Sequence, residues 1–341
     1  MENAAMPRRL WCFSVALTAL SAGPALAGPA PDTASPDTAS IVTIQVENDA
    51  VSTLQGTSDQ YYTSGLRLGW TSGQDVVAPV AKLGQDIWGN GTTRLSIDIN
   101  QSLFTPRATQ ADPPPPGDRP YAGVLLADFG VIHDTSWTRD LIAVSLGVVG
   151  PAALGEQVQN GFHSIIGDTP NRGWSHQLQD QPAFQILGQR TWRLNFADVG
   201  GIEADMLPSA TAAVGDVRDY VQLGSEVRIG QGLNSDFGPA RIEPGLSGSD
   251  AYTATRPFAW YAFGGVDGQA VGYDVTLDGS TFRLGSPRVD HVWDVGELEG
   301  GVAVMVFGLR LSYTQTWQTQ EFHGQKSGLF NFGSLMVSAK F

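Results

Sequence analysis

The 341-residue sequence predicts an all-β fold, a twelve-stranded antiparallel transmembrane β-barrel with a short helix in an extracellular loop. Many segments of roughly ten residues alternate apolar side chains with polar or small ones, as barrel strands do. The chain also ends on an aromatic residue, Phe341, which closes one of these alternating segments. After the N-terminal segment no apolar run is long enough for a transmembrane helix. Because only helices and closed barrels satisfy the backbone inside a membrane, a barrel is expected.

The N-terminus predicts export. Residues 1–27 have a charged region at Arg8 and Arg9, a short apolar run, and an A-x-A cleavage site at 25–27. We therefore interpret them as a signal peptide rather than as a membrane anchor. Residues 28–40 contain PDTAS twice and few apolar side chains, so a disordered lead-in is expected there. The barrel is then expected over residues 41–341.

Composition narrows the class of protein further. The net charge of −14 argues against a nucleic-acid partner, because phosphate binding requires a basic surface. The single cysteine, Cys12, lies in the signal peptide, so the mature chain would have no disulfide. A large core or a closed sheet must then supply its stability.

The alternating pattern predicts twelve strands, an even number as bacterial barrels have. Within residues 73–90 the stretch APVAKLGQDIW is expected to form a short periplasmic helix. The predicted strands cover about 41–48, 63–72, 93–103, 121–132, 139–149, 182–195, 199–212, 219–231, 257–268, 270–277, 299–316 and 330–341.

This topology brings distant polar residues to one end of the barrel. With the N-terminus in the periplasm, the connections after the first, third and fifth strands are extracellular, at about 49–62, 104–120 and 150–181. We expect the polar residues of these regions to converge on one rim; they are Asn48, Asp49, Thr63, Ser64, Asp118, Arg119 and His163.

The third of these connections contains a predicted amphipathic helix, GEQVQNGFHSIIGD, at residues 155–168. Its apolar residues recur at helical spacing, which predicts that this side packs on the barrel wall or adjoining loops. Gln159 and His163 lie four residues apart on another face. Gly167 is suited to end the helix.

Each of these features also has an ordinary structural interpretation. Asn48 and Asp49 are residue types that favour turns, and a lone histidine such as His163 is more often structural than catalytic. Arg119 could bind a phosphate, which arginine does well through paired contacts. The acidic residues of the loops could be solvated charge.

Several stretches together resemble the outer-membrane lipid A 3'-O-deacylase family, the LpxR type. The resemblance implies a twelve-stranded barrel with an active site near its outer rim. It also implies calcium-dependent hydrolysis of the ester that links an acyloxyacyl chain to lipid A. The stretches that carry it are VENDA (46–50), YYTSGLRLGW (61–70), GDRPYAG (117–123), GVVGPAALGEQVQNGFHSIIGD (147–168) and the terminal strand.

Functional positions follow from this resemblance residue by residue. It places Asn48, Gln159 and His163 at catalytic positions. It places Asp49, Thr63 and Asp168 at functional positions that we interpret as metal ligands, with Asp168 where a relative has Glu. Arg107 and Arg119 stand in for a basic pair expected in the second outer loop, and would contact the substrate.

The chemistry of these residue types agrees with ester hydrolysis. His163 can deprotonate a water, Asn48 can donate to the oxyanion, and oxygen ligands such as Asp49 suit Ca²⁺. In a variant of this mechanism Ser64 is a covalent nucleophile paired with His163. A non-enzymatic barrel, either a small porin or an adhesin, is the alternative. We expect a monomer in the outer membrane with lipid A as its substrate.

Overall fold

The computed structural model describes residues 36–52, 59–243 and 250–341. The predicted signal peptide, 1–27, and residues 28–35 of the predicted lead-in lie outside these ranges. Residues 36–40 were expected to be disordered with the rest of the lead-in, but here they contact the barrel. Asp37 pairs with Arg94 at 3.1 Å and also with Lys340. Two cationic partners therefore hold the chain against the barrel upstream of the predicted start at residue 41.

Thirteen strand segments and three α-helices form the described fold. The helices are α1 (Ala78–Trp88), α2 (Gly155–Ile166) and the short α3 (Val275–Asp278). The strand segments are β1 (Ile41–Asn48), β2 (Tyr61–Thr71), β3 (Thr92–Thr105), β4 (Ala122–Asp134), β5 (Thr138–Val149), β6 (Gln181–Trp192), β7 (Leu194–Val199), β8 (Ile202–Gly215), β9 (Arg218–Gln231), β10 (Phe258–Asp274), β11 (Asp294–Val306), β12 (Leu309–Gln318) and β13 (Phe330–Lys340).

These segments close into a twelve-stranded antiparallel barrel. Each strand pairs with its neighbours in the sequence, and β1 also pairs with β13, so the first and last strands meet. β6 and β7 pair with the same strand, β8, and are separated by a single residue, Arg193. They therefore make one barrel strand with an interruption. The predicted fold class is confirmed.

Two errors in the predicted strands offset each other in the count. The predicted strands 257–268 and 270–277 are one strand, β10, and residues 275–278 form α3. The glycine residues of β10 interrupt the alternating pattern and suggested a break between two strands. The predicted strand 299–316 is two strands, β11 and β12. They are joined at Phe307 and Gly308, with φ of 50° and 79°, as in a tight hairpin of type I′. Phe307 replaces the usual Asn or Asp, so the sequence carries little turn signal there.

The two faces of the wall have opposite polarity. On β3 the apolar residues Ile97 and Ile99 are exposed on the outside, and Asp98 between them is buried on the lumen side. The same alternation on β1 exposes Ile44 and Val46, with polar residues facing the lumen. Such a wall suits an apolar surrounding medium and a polar interior. Within the described part of the chain, none of the helices has the length and apolar character needed to cross a bilayer.

The periplasmic connection between β9 and β10 fills the lumen. Its described residues, 232–243 and 250–257, are named here the luminal segment. Strands from several sides of the barrel contact it. Asp236 is 2.6 Å from Arg228 of β9, Arg241 is 2.9 Å from Glu297 of β11, and Asp250 is 2.5 Å from Arg67 of β2. The sequence did not predict this segment, because its polar residues resemble those of an ordinary loop.

Two helices lie against the outside of the wall formed by β3 and β4, one at each end of these strands. α1 coincides with the predicted periplasmic helix, and its Trp88 stacks on His133 of β4 with ring centroids 5.6 Å apart. α2 covers the opposite, extracellular end. A Cβ added to Gly155 at its start would lie 3.1 Å from Leu103 of β3, and one added to Gly123 of β4 would lie 3.2 Å from Ala153. The third outer loop therefore packs on β3 and β4.

The orientation of most of α2 is opposite to the predicted one. The apolar side was expected to pack on the wall or adjoining loops. Val158 does pack on the cluster of Leu103, Tyr121 and Trp174, but Phe162, Ile165 and Ile166 are exposed, Ile165 by 83%. Gln159 and His163 are buried instead. The expectation assumed water outside the helix. Beside a lipid-facing wall the surroundings are apolar, so the polar face turns inward.

Candidate functional site

The first outer loop begins with a sharp turn at the end of β1. The Oδ1 atom of Asn48 accepts a hydrogen bond from the Ala50 N–H at 2.7 Å, and residues 49–51 form a 3-10 turn. Asn48 lies directly opposite Ser64 in the register of β1 and β2. Directly opposite residues place their side chains on the same face. Here it is the outer face, because Val46 and Leu66 on the same rows are exposed.

His163 is held by the segment that follows α2. Gly167 ends the helix in a left-handed conformation, with φ of 77°, and the chain then turns back along it. The Nδ1 atom of His163 lies 2.9 Å from the carbonyl oxygen of Thr169. Since a carbonyl oxygen only accepts, Nδ1 carries the proton of this bond. Asn160 and Asn171 reinforce the turn with two hydrogen bonds of 3.1 and 2.8 Å.

Asp59 connects the first and third outer loops. Its Oδ2 atom lies 2.9 Å from Nε2 of His163, 3.0 Å from Nε2 of Gln159 and 2.9 Å from Nδ2 of Asn171. The indole N–H of Trp174 donates to Oε1 of Gln159 at 2.8 Å, which fixes the amide so that its nitrogen faces Asp59. The two loops are therefore joined through a single carboxylate oxygen.

Asp49 is the second carboxylate of this site. Its Oδ2 accepts the N–H of Gln60 at 3.2 Å, and its Oδ1 is buried with no hydrogen-bond partner among the residues that the structure describes. Burial, together with the nearby charge of Asp59, raises the pKa of Asp49 to about 8. A buried carboxylate with an unsatisfied oxygen favours a nearby cation.

Thr63 and Asp168 have different surroundings. Thr63 lies at an irregularity in the β2–β3 pairing, and its hydroxyl is 2.7 Å from that of Thr105. Asp168 is exposed, and its carboxylate accepts the N–H of Thr169 at 2.7 Å. Asp168 therefore stabilises the turn whose carbonyl group receives His163.

The two arginines are also in different places. Arg107 is exposed in the second outer loop, where its backbone N–H donates to Asp118 at 3.0 Å. Arg119 is fully buried at the outer end of the lumen, 2.5 Å from Glu321 and 2.7 Å from the hydroxyl of Thr276. The described contacts thus join Gln159 and His163 with the first loop, whereas Arg119 belongs to a buried ion pair.

Sequence reasoning missed three residues of this cluster, Asp59, Asn171 and Trp174. Asp59 had a detectable signal, because it and Asp49 are the two acidic residues of the loop at 49–62. Asn171 and Trp174 lie in a segment without periodic pattern, and their partners become visible only when the chain turns back on α2.

The donor set of this site fits a hard cation. Asp49 and Asp59 supply carboxylate oxygens, and Ca²⁺ completes its shell from carbonyl groups and water. The buried, unpartnered Oδ1 of Asp49 is the observation that supports the fit. Across the described ranges, no group of three or more His, Cys, Asp or Glu side chains is placed to hold a metal ion.

A closed twelve-stranded barrel with a polar site on its outer wall defines a protein of the bacterial outer membrane. Residues 11–341 match the family described as "Outer membrane protein LpxR", and the chain belongs to this family. Membership confirms the outer-membrane location. It also supports the expectation that this protein is an enzyme that modifies lipid A.

A solved structure of a protein of this family supports the same fold. LpxR from Salmonella typhimurium is 23% identical, with a TM-score of 0.73, and the match covers 88% of this chain and all of that one. The β domain of the Bordetella autotransporter BrkA is 10% identical, with a TM-score of 0.44 over 90% of this chain and all of that one. The TM-score of this second match is too low to support a conclusion about the fold. Among curated proteins, no match to the chain was found.

Proposed function

We propose that this protein is a lipid A deacylase that hydrolyses the ester of a 3'-linked acyloxyacyl chain, acting as a monomer. One observation carries the proposal. A buried histidine, His163, has Nδ1 fixed on a backbone carbonyl and Nε2 directed at Asp59, between the barrel wall and α2. The apolar side of α2 is exposed beside it. This arrangement suits a water-dependent reaction on a lipid.

His163 is the proposed general base. The Thr169 carbonyl selects the tautomer that carries its proton on Nδ1, so the lone pair of the neutral ring is on Nε2. Once Asp59 has released Nε2, this atom accepts a proton from the attacking water, and the water oxygen bonds to the ester carbonyl carbon. When the carbon–oxygen ester bond breaks, the same proton passes to the leaving alkoxide. The products are a carboxylic acid and a hydroxyl group on lipid A.

Asn48 is the proposed donor to the oxyanion. Its Oδ1 is used in the turn with Ala50, which leaves its amide nitrogen as the group that can donate. Removing one such donor from an active site typically costs about 3–4 kcal/mol of transition-state stabilisation. Gln159 is proposed to orient Asp59 and, through it, His163.

Ca²⁺ is the proposed cofactor. Asp49 and Asp59 would hold it, with Thr63 as a further ligand proposed from the sequence. Asp168, also proposed as a ligand from the sequence, is bound to the turn at Thr169 in the described structure and is not grouped with the two carboxylates. When bound, the cation would supply positive charge beside the ester carbonyl. The raised pKa of Asp49 and its unsatisfied Oδ1 support this assignment.

Ser64 remains a candidate nucleophile within the same reaction class. It faces outward directly opposite Asn48. If Ser64 attacks the ester, Ser64→Ala abolishes turnover; if water attacks, the variant retains it. The non-enzymatic alternative is a small porin or an adhesin. The porin is opposed by the luminal segment, which occupies the space that a pore would need, and His163→Ala tests the adhesin, because it would leave that function intact.

The proposal is tested by mass spectrometry of lipid A from cells that express the wild type or His163→Ala, with Ca²⁺ supplied. We expect loss of the 3'-linked acyloxyacyl chain with the wild type and not with the variant. His176→Ala is a matched control, because His176 lies in the same outer loop and also contacts an aspartate, Asp112, at 2.8 Å, but on the exposed surface. Unchanged lipid A with folded wild-type protein would refute the deacylase.

A further inference from the structure

Glu47 lies directly behind the proposed active site, on the lumen side of the wall. It is the residue before Asn48 on β1, so its side chain points to the opposite face of the sheet. It is completely buried. Burying a carboxylate costs free energy unless the group is hydrogen-bonded. The groups that donate to Glu47 therefore indicate its role.

Four groups donate to the Glu47 carboxylate. Oε1 accepts Nε2 of Gln45 at 3.1 Å and the backbone N–H of Ile242 at 3.0 Å. Oε2 accepts the hydroxyl of Tyr62 at 2.8 Å and the backbone N–H of Glu243 at 3.0 Å. Gln45 is on β1 and Tyr62 is on β2. Ile242 and Glu243 belong to the luminal segment.

The luminal segment contacts β1 through Glu47 and β2 through the Asp250–Arg67 pair, and these two strands carry proposed site residues at their ends. β1 ends at Asn48, and β2 carries Thr63 and Ser64 immediately after Tyr62. The segment enters from the periplasmic end, where Asp236 is held by Arg228 and Tyr261. It thus extends from the periplasmic part of the lumen to the inner side of the site.

We infer that Glu47 is a positioning residue, through which the luminal segment holds the outer ends of β1 and β2 in register for the reaction. Asn48 and Ser64 have fixed places on the outer face because Glu47 and Tyr62 are fixed on the inner one. This inference rests on the proposed function. A displacement of about 1 Å at such a site can reduce the rate about 100-fold.

Two tyrosines provide a matched comparison. Tyr62 donates to Glu47 and Tyr261 donates to Asp236, both at 2.8 Å, and both side chains are buried. Tyr62→Phe removes one hydroxyl group from a carboxylate that contacts the luminal segment, and Tyr261→Phe removes one from a carboxylate of the segment itself. Tyr62 is at the end beside the site, and Tyr261 is at the other end.

Kinetics of purified, reconstituted protein on lipid A test the inference first. We expect Glu47→Gln and Tyr62→Phe to lower kcat by about tenfold or more, with KM within about twofold of the wild type. Tyr261→Phe is expected to stay within about twofold of the wild type in both constants. Equal losses in Tyr62→Phe and Tyr261→Phe would show a general effect of stability and overturn the inference.

A distance measurement tests it independently of activity. The single cysteine is in the predicted signal peptide, so spin labels can be placed at Ala50→Cys and Glu156→Cys, two exposed positions beside β1 and on α2. We expect Glu47→Gln and Tyr62→Phe to broaden the distance distribution and Tyr261→Phe to leave it unchanged. An unchanged distribution in both of the first two variants would overturn the inference. A wild type without deacylase activity would refute the proposed function, and the distances would still decide the role of Glu47. If Glu47→Gln fails to fold, Tyr62→Phe alone decides.

Discussion

The Nε2 atom of His163 lies 2.9 Å from Oδ2 of Asp59, although Nδ1 of the same ring already donates to the carbonyl of Thr169. A carboxylate and an unprotonated Nε2 both accept hydrogen bonds, so this contact requires a proton between them. Asp59 therefore occupies the position from which a water would be deprotonated. Proton abstraction requires that Asp59 release Nε2.

Asp59→Asn is the first test of this relationship. The amide N–H would donate to Nε2 and occupy its lone pair, and the amide has no charge for a cation, so we expect deacylation to fall by about 100-fold or more. Asp112→Asn, which changes the exposed His176–Asp112 pair, should remain near the wild-type rate. The measurement is the rate of fatty acid release by reconstituted protein. A rate above half of the wild-type value in Asp59→Asn would contradict the assignment.

Removal of divalent cations is the second test. We expect a chelator to abolish activity and Ca²⁺ to restore it. Thermal unfolding gives a readout that does not depend on turnover, because a ligand at 100 times its Kd stabilises the folded state by about 2.7 kcal/mol. Ca²⁺ should raise the Tm of the wild type and not that of Asp49→Asn. The same rise in both proteins would exclude Asp49 as a ligand.

The exposed side of α2 predicts a dependence on the membrane. Ile165→Asp places a charge on a surface that we expect to contact acyl chains. We expect the variant to lose about tenfold or more of the activity on lipid A in bilayers, and to keep its activity on substrate dispersed in detergent. Glu156→Ala, an exposed change on the same helix, is the control. Equal activity of Ile165→Asp in both media would argue against contact with lipid.

The two arginines should behave differently. Arg107 is exposed, so Arg107→Ala should raise KM with little effect on unfolding, if it contacts the substrate. Arg119 is buried against Glu321, and removing one partner of a buried ion pair typically costs about 3–5 kcal/mol of stability. Arg119→Ala should therefore lower the Tm. Measuring KM and Tm for both variants separates substrate binding by Arg107 from stabilisation of the fold by Arg119. A wild-type Tm for Arg119→Ala would contradict the structural role of Arg119.

The luminal segment predicts an electrically closed barrel. In planar bilayers we expect no steady ion conductance from the wild type, because ion pairs hold the segment across the lumen. Replacement of residues 236–252 by a short Gly-Ser linker should open a conducting pore. Tyr261→Phe, which removes a single contact, should remain closed. Conductance of the wild type comparable to that of the shortened variant would instead support the porin alternative.

The alternation of side chains was sufficient to predict the barrel and most of its strands, because each strand has one lipid-facing row. It failed where side chains are uninformative. β10 continues through Gly268 and Gln269, where the prediction placed a break, and the hairpin at Phe307 lacks a typical turn residue. The luminal segment was not predictable for a related reason, since its polar residues are buried by ion pairs with distant strands rather than by a periodic pattern.

Topology alone predicted that His163 would approach the first outer loop, since both lie at the extracellular end. It could not predict the contact through Asp59, which depends on the turn after Gly167 and on the amides of Gln159 and Asn171. The orientation of α2 was predicted wrongly. A helical pattern identifies two faces, but the surrounding medium decides which face turns outward.

The site on the outer wall changes how a substrate can arrive. A molecule anchored in the outer leaflet would reach the proposed site beside α2 by lateral diffusion, in two dimensions, without leaving the bilayer. Encounter then depends on the surface density and fluidity of that leaflet rather than on a concentration in solution. Crowding or rigidity of the leaflet would slow such an enzyme without any change in the protein.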